Sequence, residues 1–571
     1  MAKAIAKTAA IAVAAGLTFA GSAGIATDAF AQETSTTVSN PAPTDSPAAE
    51  TINDAVAADG TVNLTIHKRA NLTGELQPAN GAENAAPGGE ALAGAKFSAR
   101  KIKGDITDQR VFNQIAKLAN DRDIAGITAE GGPGFDGEAI DLGETQGDGG
   151  TLTKQLRRGA YLITETNVPT STDEAYIKSD PFIVFLPMTN ANGIGWNTDV
   201  HLYPKNSMAK VTKEVTDADK HAGASDDKNK VVTYTLDGIV PVAPENNELT
   251  AFNINDSYNS AELQLDENFL QSVEVVRGET RTKLEPADYN VVKGKNNTTK
   301  SADGETARDY NAGFVISLTD EGLSKVQAND HVVATVNATL LNAQEGGDQD
   351  IWNSVNEAGT FKRKQGTGSG FDENPWETPH DEVVTYLGNI EVLKAGEQND
   401  GSRKLLEGAE FKIGKCNADG TAIDGDPIQT GTTDKDGKLL FEGLHVTDVI
   451  NNVEVGTPGK SPGKYCLQET SAPKGYSFDK NKVYPIELRK DTRNSTQPAN
   501  FLKAGQTENS ANYTAPENGT IRMNGVAINN VKSSTPTLPS TGGMGVLIIV
   551  LAGLAIIGGG VYAARRNSQA A

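Results

Sequence analysis

Gly463–Thr470 reads GKYCLQET, and Gly159–Thr166, much earlier in the chain, reads GAYLITET. Successive side chains of a β-strand point to opposite faces of a sheet, so every second residue shares a face. In both stretches one face carries an aromatic residue, an aliphatic residue and then a glutamate: Tyr161, Ile163 and Glu165 in one, Tyr465, Leu467 and Glu469 in the other. The pattern predicts two related strands, each with a carboxyl group on an otherwise apolar face.

A lysine ends an apolar face in a strand that precedes each of these stretches. Leu64–Lys68 (LTIHK) and Ile390–Lys394 (IEVLK) alternate so that the lysine shares a face with two aliphatic residues. Each is followed by a similar segment, LAGAKF at 92–97 or LEGAEF at 406–411. Self-similarity in this order indicates two copies of one domain. Each copy is predicted to direct a lysine and a glutamate into its core.

A buried lysine and a buried acid can react with an asparagine that joins them. Burial favours the neutral amine and the protonated acid, because charged groups are costly in an apolar interior. The amine can then attack the asparagine carbonyl carbon while the acid polarises the carbonyl oxygen and shuttles protons, which releases ammonia and leaves an isopeptide bond. Asn206 and Asn530 have the required inward phase in the last strand of each copy. The predicted triads are Lys68, Glu165 and Asn206, and Lys394, Glu469 and Asn530.

Residues 207–361 carry a variant of this pattern with an aspartate as the acid. Lys213, Asp256 and Asn353 each share a strand face with apolar neighbours, and they form the third predicted triad. Lys210 is the alternative amine. The acids of the three triads are the predicted proton shuttles. The alternative interpretation of every triad is an unreacted buried salt bridge, or polar residues at strand edges that face solvent.

The composition favours strands and turns and argues against nucleic-acid binding. The 571 residues include 59 glycines and only 6% aromatic residues, so we expect an all-β fold. A short helix is predicted only after Asp108, where Val111, Ile115 and Leu118 have helical spacing. A formal net charge of -22 would repel a polyanion. No enzyme or metal-binding motif supports turnover, a metal or a cofactor, so we expect none of these.

Both ends of the chain carry features of export. Two lysines and an Ala-rich apolar segment precede Ala29–Ala31 (AFA), which fits a signal-peptidase site. Near the other end, the apolar run 545–564 is long enough to span a bilayer, and the two arginines behind it favour the cytoplasmic side. The body of the protein is therefore predicted to lie outside the cell.

Export also bears on the two cysteines, Cys416 and Cys466. They lack the close paired spacing of zinc sites, and a disulfide is the default in an exported protein. Both fall off the apolar face of their strands, since Phe411 and Ile413 have the opposite phase to Cys416. We expect a Cys416–Cys466 disulfide, with a pair of free surface thiols as the alternative.

The pentapeptide before the apolar run resembles a cell-wall sorting signal of Gram-positive bacteria. Its residues are Leu538, Pro539, Ser540, Thr541 and Gly542. The resemblance implies that a sortase cleaves between Thr541 and Gly542 and retains Thr541 as a thioester. A single-pass membrane protein with a chance pentapeptide is the alternative.

Two further motifs extend the resemblance to major pilins, the shaft or backbone subunits of sortase-assembled pili, of the three-domain type of corynebacteria and actinomycetes. Tyr465–Tyr476 (YCLQETSAPKGY) resembles the E-box of that family, with Glu469 as its acid, whereas the first copy has only the short form YLITETNVP. Trp196–Asn206 (WNTDVHLYPKN) resembles the pilin motif, whose lysine is the sortase nucleophile. Lys205 is opposite in phase to Asn206, which predicts an amine that faces solvent.

The resemblance implies three tandem immunoglobulin-like β-sandwich domains of the collagen-binding-protein B type, with internal bonds Lys68–Asn206, Lys213–Asn353 and Lys394–Asn530. The first bond is expected to be slow or incomplete, because its E-box is short. The family's scheme joins Thr541 of one subunit to Lys205 of the next, and repetition gives an open head-to-tail filament. The implied partners are pilus-specific and housekeeping sortases, identical subunits, minor pilins and peptidoglycan. The implied location is a secreted, wall-anchored fimbrium.

These features predict a series of segments along the chain: signal peptide 1–31, disordered leader 32–59, N-terminal pilin domain 60–206, middle domain 207–361, linker 362–380, C-terminal domain with E-box 381–532 and sorting signal 533–571. A monomeric wall-anchored adhesin or a pilus-tip adhesin is the alternative function. It would need no acceptor lysine and usually adds a larger ligand-binding domain. An exported enzyme is a second alternative.

Overall fold

Short β-strands dominate the chain, as its composition predicts. A computed structural model describes residues 51–70, 81–190, 195–244, 247–294, 308–341, 350–364, 372–400, 403–455, 463–491, 493, 520–523 and 529–532. These residues form two compact units. The first unit contains the described residues of 51–218, 231–341 and 350–385, and the second contains those of 219–230 and from 386 onward. The domain boundaries stay predictions.

The N-terminal part of the first unit consists of several small sheets. Its strands are β1 (Thr61–His67), β2 (Arg69–Ala70), β3 (Glu90–Ala91), β4 (Lys96–Lys101), β5 (Ile140–Glu144), β6 (Thr151–Arg157), β7 (Gly159–Asn167), β8 (Ala175–Ile177), β9 (Phe182–Leu186), β10 (Met188–Thr189), β11 (Trp196–Asn197), β12 (Asp199–Leu202) and β13 (Lys205–Thr216). One sheet has the order β12-β1-β6 and another the order β5-β4-β7-β9. Their apolar faces share one core, to which β1 contributes Val62, Leu64 and Ile66.

Two helices accompany these strands, α1 (Ile52–Ala55) and α2 (Gln109–Asn120). Helix α2 is the one predicted from spacing. It begins after Asp108, whose side chain accepts a hydrogen bond from the Arg110 backbone N–H at 2.8 Å and so caps the helix N-terminus. Helix α1 lies inside the segment predicted as a disordered leader. It is held there because Thr51 and Asp54 form a capping box and Ile52 is buried.

The middle part of the first unit contains two larger antiparallel sheets. Its elements are β14 (Val231–Ile239), β15 (Asn247–Tyr258), β16 (Leu263–Gln264), β17 (Leu270–Arg277), β18 (Thr280–Lys283), β19 (Tyr289–Lys293), β20 (Ala312–Leu318), α3 (Asp320–Leu323), β21 (His331–Leu340), β22 (Asp350–Arg363) and β23 (Glu373–Glu377). One sheet contains β18-β17-β21-β14-β13 and the other contains β19-β20-β15-β22. Strand β13 also pairs with β2 and β8, so it runs across the predicted boundary at 206/207.

Part of the predicted linker 362–380 is a strand. β23 pairs antiparallel with β22, and Trp376 on β23 is buried. Its ring lies 6.3 Å from that of Phe252 and 6.4 Å from that of Phe361. This aromatic packing holds the segment against the sheet, an interaction that its glycine and proline content did not indicate.

The second unit is also built from strands. They are β24 (Asp381–Leu393, which starts in the first unit), β25 (Ala395–Glu397), β26 (Arg403–Leu405), β27 (Glu410–Lys415), β28 (Gln429–Thr432), β29 (Lys438–His445), β30 (Val449–Ile450), β31 (Val453–Glu454), β32 (Tyr465–Ser471), β33 (Tyr476–Ser477), β34 (Val483–Ile486), β35 (Thr520–Met523) and β36 (Asn529–Lys532). A sheet of order β28-β27-β32-β34 and the strand β24 enclose a core. The predicted Cys416–Cys466 disulfide is present, and it adjoins this sheet. Cys466 is fully buried rather than at the surface.

The same strand register recurs around both predicted glutamates. β2 pairs parallel with β13, which places Asn206 opposite Ala70. β25 pairs parallel with β36, which places Asn530 opposite Gly396. In both cases the residue opposite the asparagine follows the triad lysine by two positions. The glutamates lie opposite equivalent phenylalanines: Phe97 faces Glu165, and Phe411 faces Glu469.

No helix of the described residues is long and apolar enough to cross a membrane. The predicted span 545–564, the pentapeptide 538–542 and the signal peptide 1–31 all lie outside the described residues.

Candidate functional site

The first triad assembles at the point where β1, β7 and β13 meet. Lys68 directly follows β1, and its Nζ lies 2.9 Å from Glu165 Oε2. The Lys68 amine also donates a hydrogen bond to Asn206 Oδ1, and Asn206 Nδ2 donates to Glu165 Oε1 at 3.0 Å. All three residues are at most 3% exposed. The three side chains therefore form a closed ring of contacts in a dry interior.

The third triad has the same arrangement in the second unit. Lys394 Nζ lies 3.0 Å from Glu469 Oε2 and donates to Asn530 Oδ1 at 2.6 Å. Asn530 Nδ2 donates to Glu469 Oε1 at 2.7 Å. In both rings the carboxyl group contacts the amine and the amide nitrogen. This geometry suits a proton shuttle from the lysine to the departing ammonia, and it does not show the predicted polarisation of the carbonyl oxygen by the acid.

The middle triad is assembled differently. Lys213 Nζ donates to Asp256 Oδ2 deep in the core, and Asn353 is only 2% exposed and lies close enough to lower the pKa of Asp256. Asn353 Oδ1 has no hydrogen-bond partner within the described part of the chain. Lys210, the alternative amine, lies 3.7 Å from Glu174 at the edge of the core. The structure thus favours Lys213 as the amine but does not show its contact with Asn353 Oδ1.

Burial shifts the ionisation of these groups in the predicted direction. It lowers the pKa of Lys68, Lys213 and Lys394, and the neighbouring acid opposes the shift in each case. Burial also raises the pKa of Asp256, while Lys213 opposes this change. Burial therefore favours the neutral, nucleophilic form of each amine, and in the middle triad it also favours the protonated form of the acid.

Lys205 lies one residue before Asn206 and on the opposite face of β13. It lines a cavity of about 430 Å³, and it is half-buried rather than fully exposed. Partial burial lowers the pKa of its amine, and the nearby charge of Arg69 lowers it further. The predicted parity is therefore right, and the side chain borders an open cavity and is partly rather than fully exposed. The other residues that line the cavity are half apolar, with Ile177, Met208, Ile239 and Val242 among them, and half polar.

Ser179 is a contact of the first triad that the sequence did not reveal. Its backbone N–H and its Oγ both donate to Glu165 Oε2, each at 2.8 Å. Ser179 belongs to no motif that the sequence analysis identified, and it lies 14 residues after Glu165. Neither strand alternation nor the resemblance to pilins therefore identifies it. Separately, no group of three or more His, Cys, Asp or Glu side chains within the described residues could hold a metal ion.

Family models match two regions of the chain. Residues 59–207 match the Gram-positive pilin subunit D1, N-terminal domain, and residues 388–501 match the prealbumin-like fold domain. The first match contains the first triad and Lys205, and the second contains the acid and the amine of the third triad.

Full-length relatives show the same likeness. The chain is 26% identical over 525 residues to the fimbrial subunit type 2 of Actinomyces naeslundii, with 87% of each chain covered. It is 25% identical over 542 residues to the fimbrial subunit type 1 of Actinomyces viscosus, with 90% of this chain and 91% of that protein covered. The solved full-length major pilin SpaD from Corynebacterium diphtheriae is 27% identical, with a TM-score of 0.57, and the match covers 83% of this chain and 98% of that one.

These matches support a pilus backbone subunit.

A pilus backbone subunit is a structural protein, and the pilin domain match favours this class over an enzyme. The fimbrial relatives indicate a location on a surface pilus and polymerisation with other pilin subunits.

Proposed function

We propose that this chain is the repeating shaft subunit of a covalent surface pilus, in which a sortase joins Thr541 of one subunit to Lys205 of the next. The observation that carries the proposal is the contrast between two neighbours on β13. Asn206 is buried in a triad, whereas Lys205 presents an amine with a lowered pKa to a cavity. A lowered pKa increases the fraction of neutral, nucleophilic amine at neutral pH.

The linkage reaction balances as an acyl transfer. The Thr541 carbonyl is held by the sortase as a thioester after the Thr541–Gly542 peptide bond has been cleaved. The neutral Lys205 amine attacks this carbonyl, an amide bond forms, and the sortase thiol leaves and takes up the proton. Repetition between the same two sites extends an open filament. Transfer of the last Thr541 to a cell-wall amine by a housekeeping sortase would anchor the polymer to peptidoglycan.

Each triad is proposed to form one internal bond without an enzyme. The lysine amine attacks the asparagine Cγ, the acid accepts a proton from the amine and delivers one to the amide nitrogen, and ammonia leaves. In the first and third triads the carboxyl group already contacts both nitrogen atoms. The chemistry uses each residue once and leaves the acid unchanged.

Immunoblotting of wall extracts tests the polymer. Wild type should give a ladder of high-mass species, and Lys205→Ala should give monomer alone. Lys210→Ala is the matched control, because Lys210 lies on the same strand and is also partly exposed. A ladder that persists in Lys205→Ala would refute Lys205 as the acceptor, and a monomer in all three strains would favour the adhesin alternative.

Intact mass of the purified protein tests the internal bonds. The proposal predicts a deficit of three ammonia molecules relative to the mature sequence, or two if the first bond stays open. Peptide mapping should then find Lys68 joined to Asn206, Lys213 to Asn353 and Lys394 to Asn530. An unmodified mass would refute the bond chemistry.

A further inference from the structure

Ser179 contacts the acid of the first triad, and no described serine contacts the acid of the third. The Glu165 carboxylate accepts four hydrogen bonds, two of which come from Ser179 at 2.8 Å. Within the described part of the chain, Glu469 interacts with Lys394 and Asn530 and with no serine in the place of Ser179. The ring contacts of the two triads correspond, so among the described residues the two Ser179 hydrogen bonds distinguish the first triad from the third.

Ser179 is held in place by contacts on both sides along the chain. The Lys178 backbone carbonyl accepts a hydrogen bond from Asn374 Nδ2 at 3.1 Å. Asp180 Oδ2 lies 2.6 Å from Arg363 Nη2 in an ion pair whose side chains are 12% and 7% exposed, and it also accepts from Asn247 Nδ2 at 3.1 Å. These partners keep the 178–180 segment from moving away from the acid.

Donors directed at a carboxylate favour its charged form. Bond formation needs the opposite state, in which the proton has moved from the Lys68 amine to Glu165 and the amine is neutral. The Oγ and N–H of Ser179 therefore stabilise the unreactive ion pair of the first triad. They act through the Glu165 carboxylate, to which both donors are directed.

We infer that Ser179 is a positioning residue that retards the Lys68–Asn206 bond by holding Glu165 as a carboxylate. This inference rests on the isopeptide chemistry proposed above. It assigns to Ser179 a role that a merely supporting residue would not have: its removal should make the reaction faster. If Ser179 instead held Glu165 in place to assist the reaction, its removal would make bond formation slower.

The test follows bond formation in the full-length chain during cell-free synthesis in detergent. Samples are quenched in acid at intervals, digested, and analysed for the fraction of Lys68 joined to Asn206. The Lys394–Asn530 bond of the same molecules is the internal control for folding and synthesis. The variants are Ser179→Ala, which removes the Oγ donor, Ser179→Thr, which retains it, and Ser171→Ala as a control serine on the preceding connection, between β7 and β8.

In wild type the first bond should form more slowly than the third. Ser179→Ala should accelerate it on the order of tenfold, the effect of one hydrogen bond to a charged group. Ser179→Thr and Ser171→Ala should keep the slow rate, and the Lys394–Asn530 rate should not change in any variant.

The possible failures are distinguishable. An unchanged or slower first bond in Ser179→Ala, with a normal third bond, would overturn the inference and leave the proposed function intact. Absence of the first bond from wild type and Ser179→Ala alike would overturn it too. Absence of all three bonds from every chain would refute the underlying chemistry itself.

Discussion

At the scale of single residues, each buried lysine depends on an acid within hydrogen-bond distance. Lys394 is fully buried, and its amine lies 3.0 Å from Glu469. Taking two charges from water into a protein interior is costly, so the pair adds little stability by itself. Removal of one member is much worse, because the other is left without a partner. The triads are therefore sites where a single substitution should have a large effect.

Glu469→Gln should prevent the Lys394–Asn530 bond and destabilise the second unit. The glutamine cannot accept and release a proton, and Lys394 loses its ionic partner, at a cost of about 3 kcal/mol for a broken buried pair. Intact mass should show one ammonia loss fewer than wild type, and calorimetry should show a lower melting temperature. Glu410→Gln, an exposed glutamate on β27, is the control. A normal mass deficit in Glu469→Gln would contradict the shuttle role.

Glu357 predicts a pH dependence that is separate from the triads. It is fully buried, and neither carboxyl oxygen has a hydrogen bond of normal geometry within the described residues, although the Ile239 backbone is near enough to interact with the carboxyl group. Burial and the charge of Asp237 raise its pKa well above the ordinary value of 4.5, and the Ile239 backbone offsets only part of this rise. The folded state therefore binds this proton more tightly than the unfolded state. The resulting stability is complete below the unfolded pKa and is lost as pH rises toward the folded pKa.

Glu357→Gln should remove this pH dependence. Relative to the variant, wild type should lose about 1.4 kcal/mol of unfolding free energy per pH unit between the two pKa values. Denaturant unfolding from pH 5 to 8 measures the difference, with the exposed Glu248→Gln as control. Parallel profiles for wild type and Glu357→Gln would show that Glu357 is already ionised in the folded protein.

At the scale of elements, the parallel pairs β2–β13 and β25–β36 bring lysine and asparagine together. The disulfide lies inside the loop that the proposed Lys394–Asn530 bond would close. It joins Cys416, just after β27, to Cys466 on β32, with a sequence separation of 50. Cross-links stabilise mainly by restricting the unfolded chain, so nested closures are expected to be less than additive.

Replacement of both cysteines by alanine should therefore cost less in wild type than in a Lys394→Ala background. Loop entropy alone gives about 4 kcal/mol for a closure of this size, and the full value is expected only when the outer bond is missing. Calorimetry of the four proteins measures both effects. Equal losses in the two backgrounds would show that the outer bond does not form or does not restrict the unfolded chain.

Strand alternation predicted much of this organisation and failed where contacts are not periodic. It placed Lys68, Glu165 and Asn206 on inward faces, because a face is decided by residue parity alone. It could not predict Ser179, since that contact depends on where an irregular segment passes. It also missed the burial of Cys466, whose side chain is fully covered although it lies off the apolar face of β32. Such coverage depends on distant chain segments that local patterns do not describe.

The half-burial of Lys205 has the same origin. Parity correctly places it opposite Asn206, but the cavity walls come from segments on either side of the predicted boundary at 206/207. The middle triad shows a further limit. Phase brought Asn353 beside Asp256, yet it does not fix the rotation of the amide, and Asn353 Oδ1 lacks a partner among the described residues.

At the scale of the whole molecule, the proposed bonds limit how far a pilus can extend under force. Lys394→Ala should release residues 395–529 when single pili are stretched with the disulfide reduced. At about 3.4 Å per residue this adds roughly 450 Å per unfolded unit. Force spectroscopy should show this step in Lys394→Ala and not in wild type or in Lys438→Ala, an exposed control on β29. The same long step in wild type would refute the third bond.

Because Lys205 immediately precedes Asn206, the N-terminal part of the subunit has a different mechanical role from the rest of the proposed filament. On the proposed linkage, tension enters each subunit through the Lys205 side chain and leaves through Thr541, so the polypeptide upstream of Lys205 is off the tensile route. The N-terminal part is therefore attached to the load-bearing polypeptide but carries no tension itself. The Lys68–Asn206 bond then bears no axial pull; it fastens the N-terminal part next to the joint, where shear or a protease would otherwise strip it away.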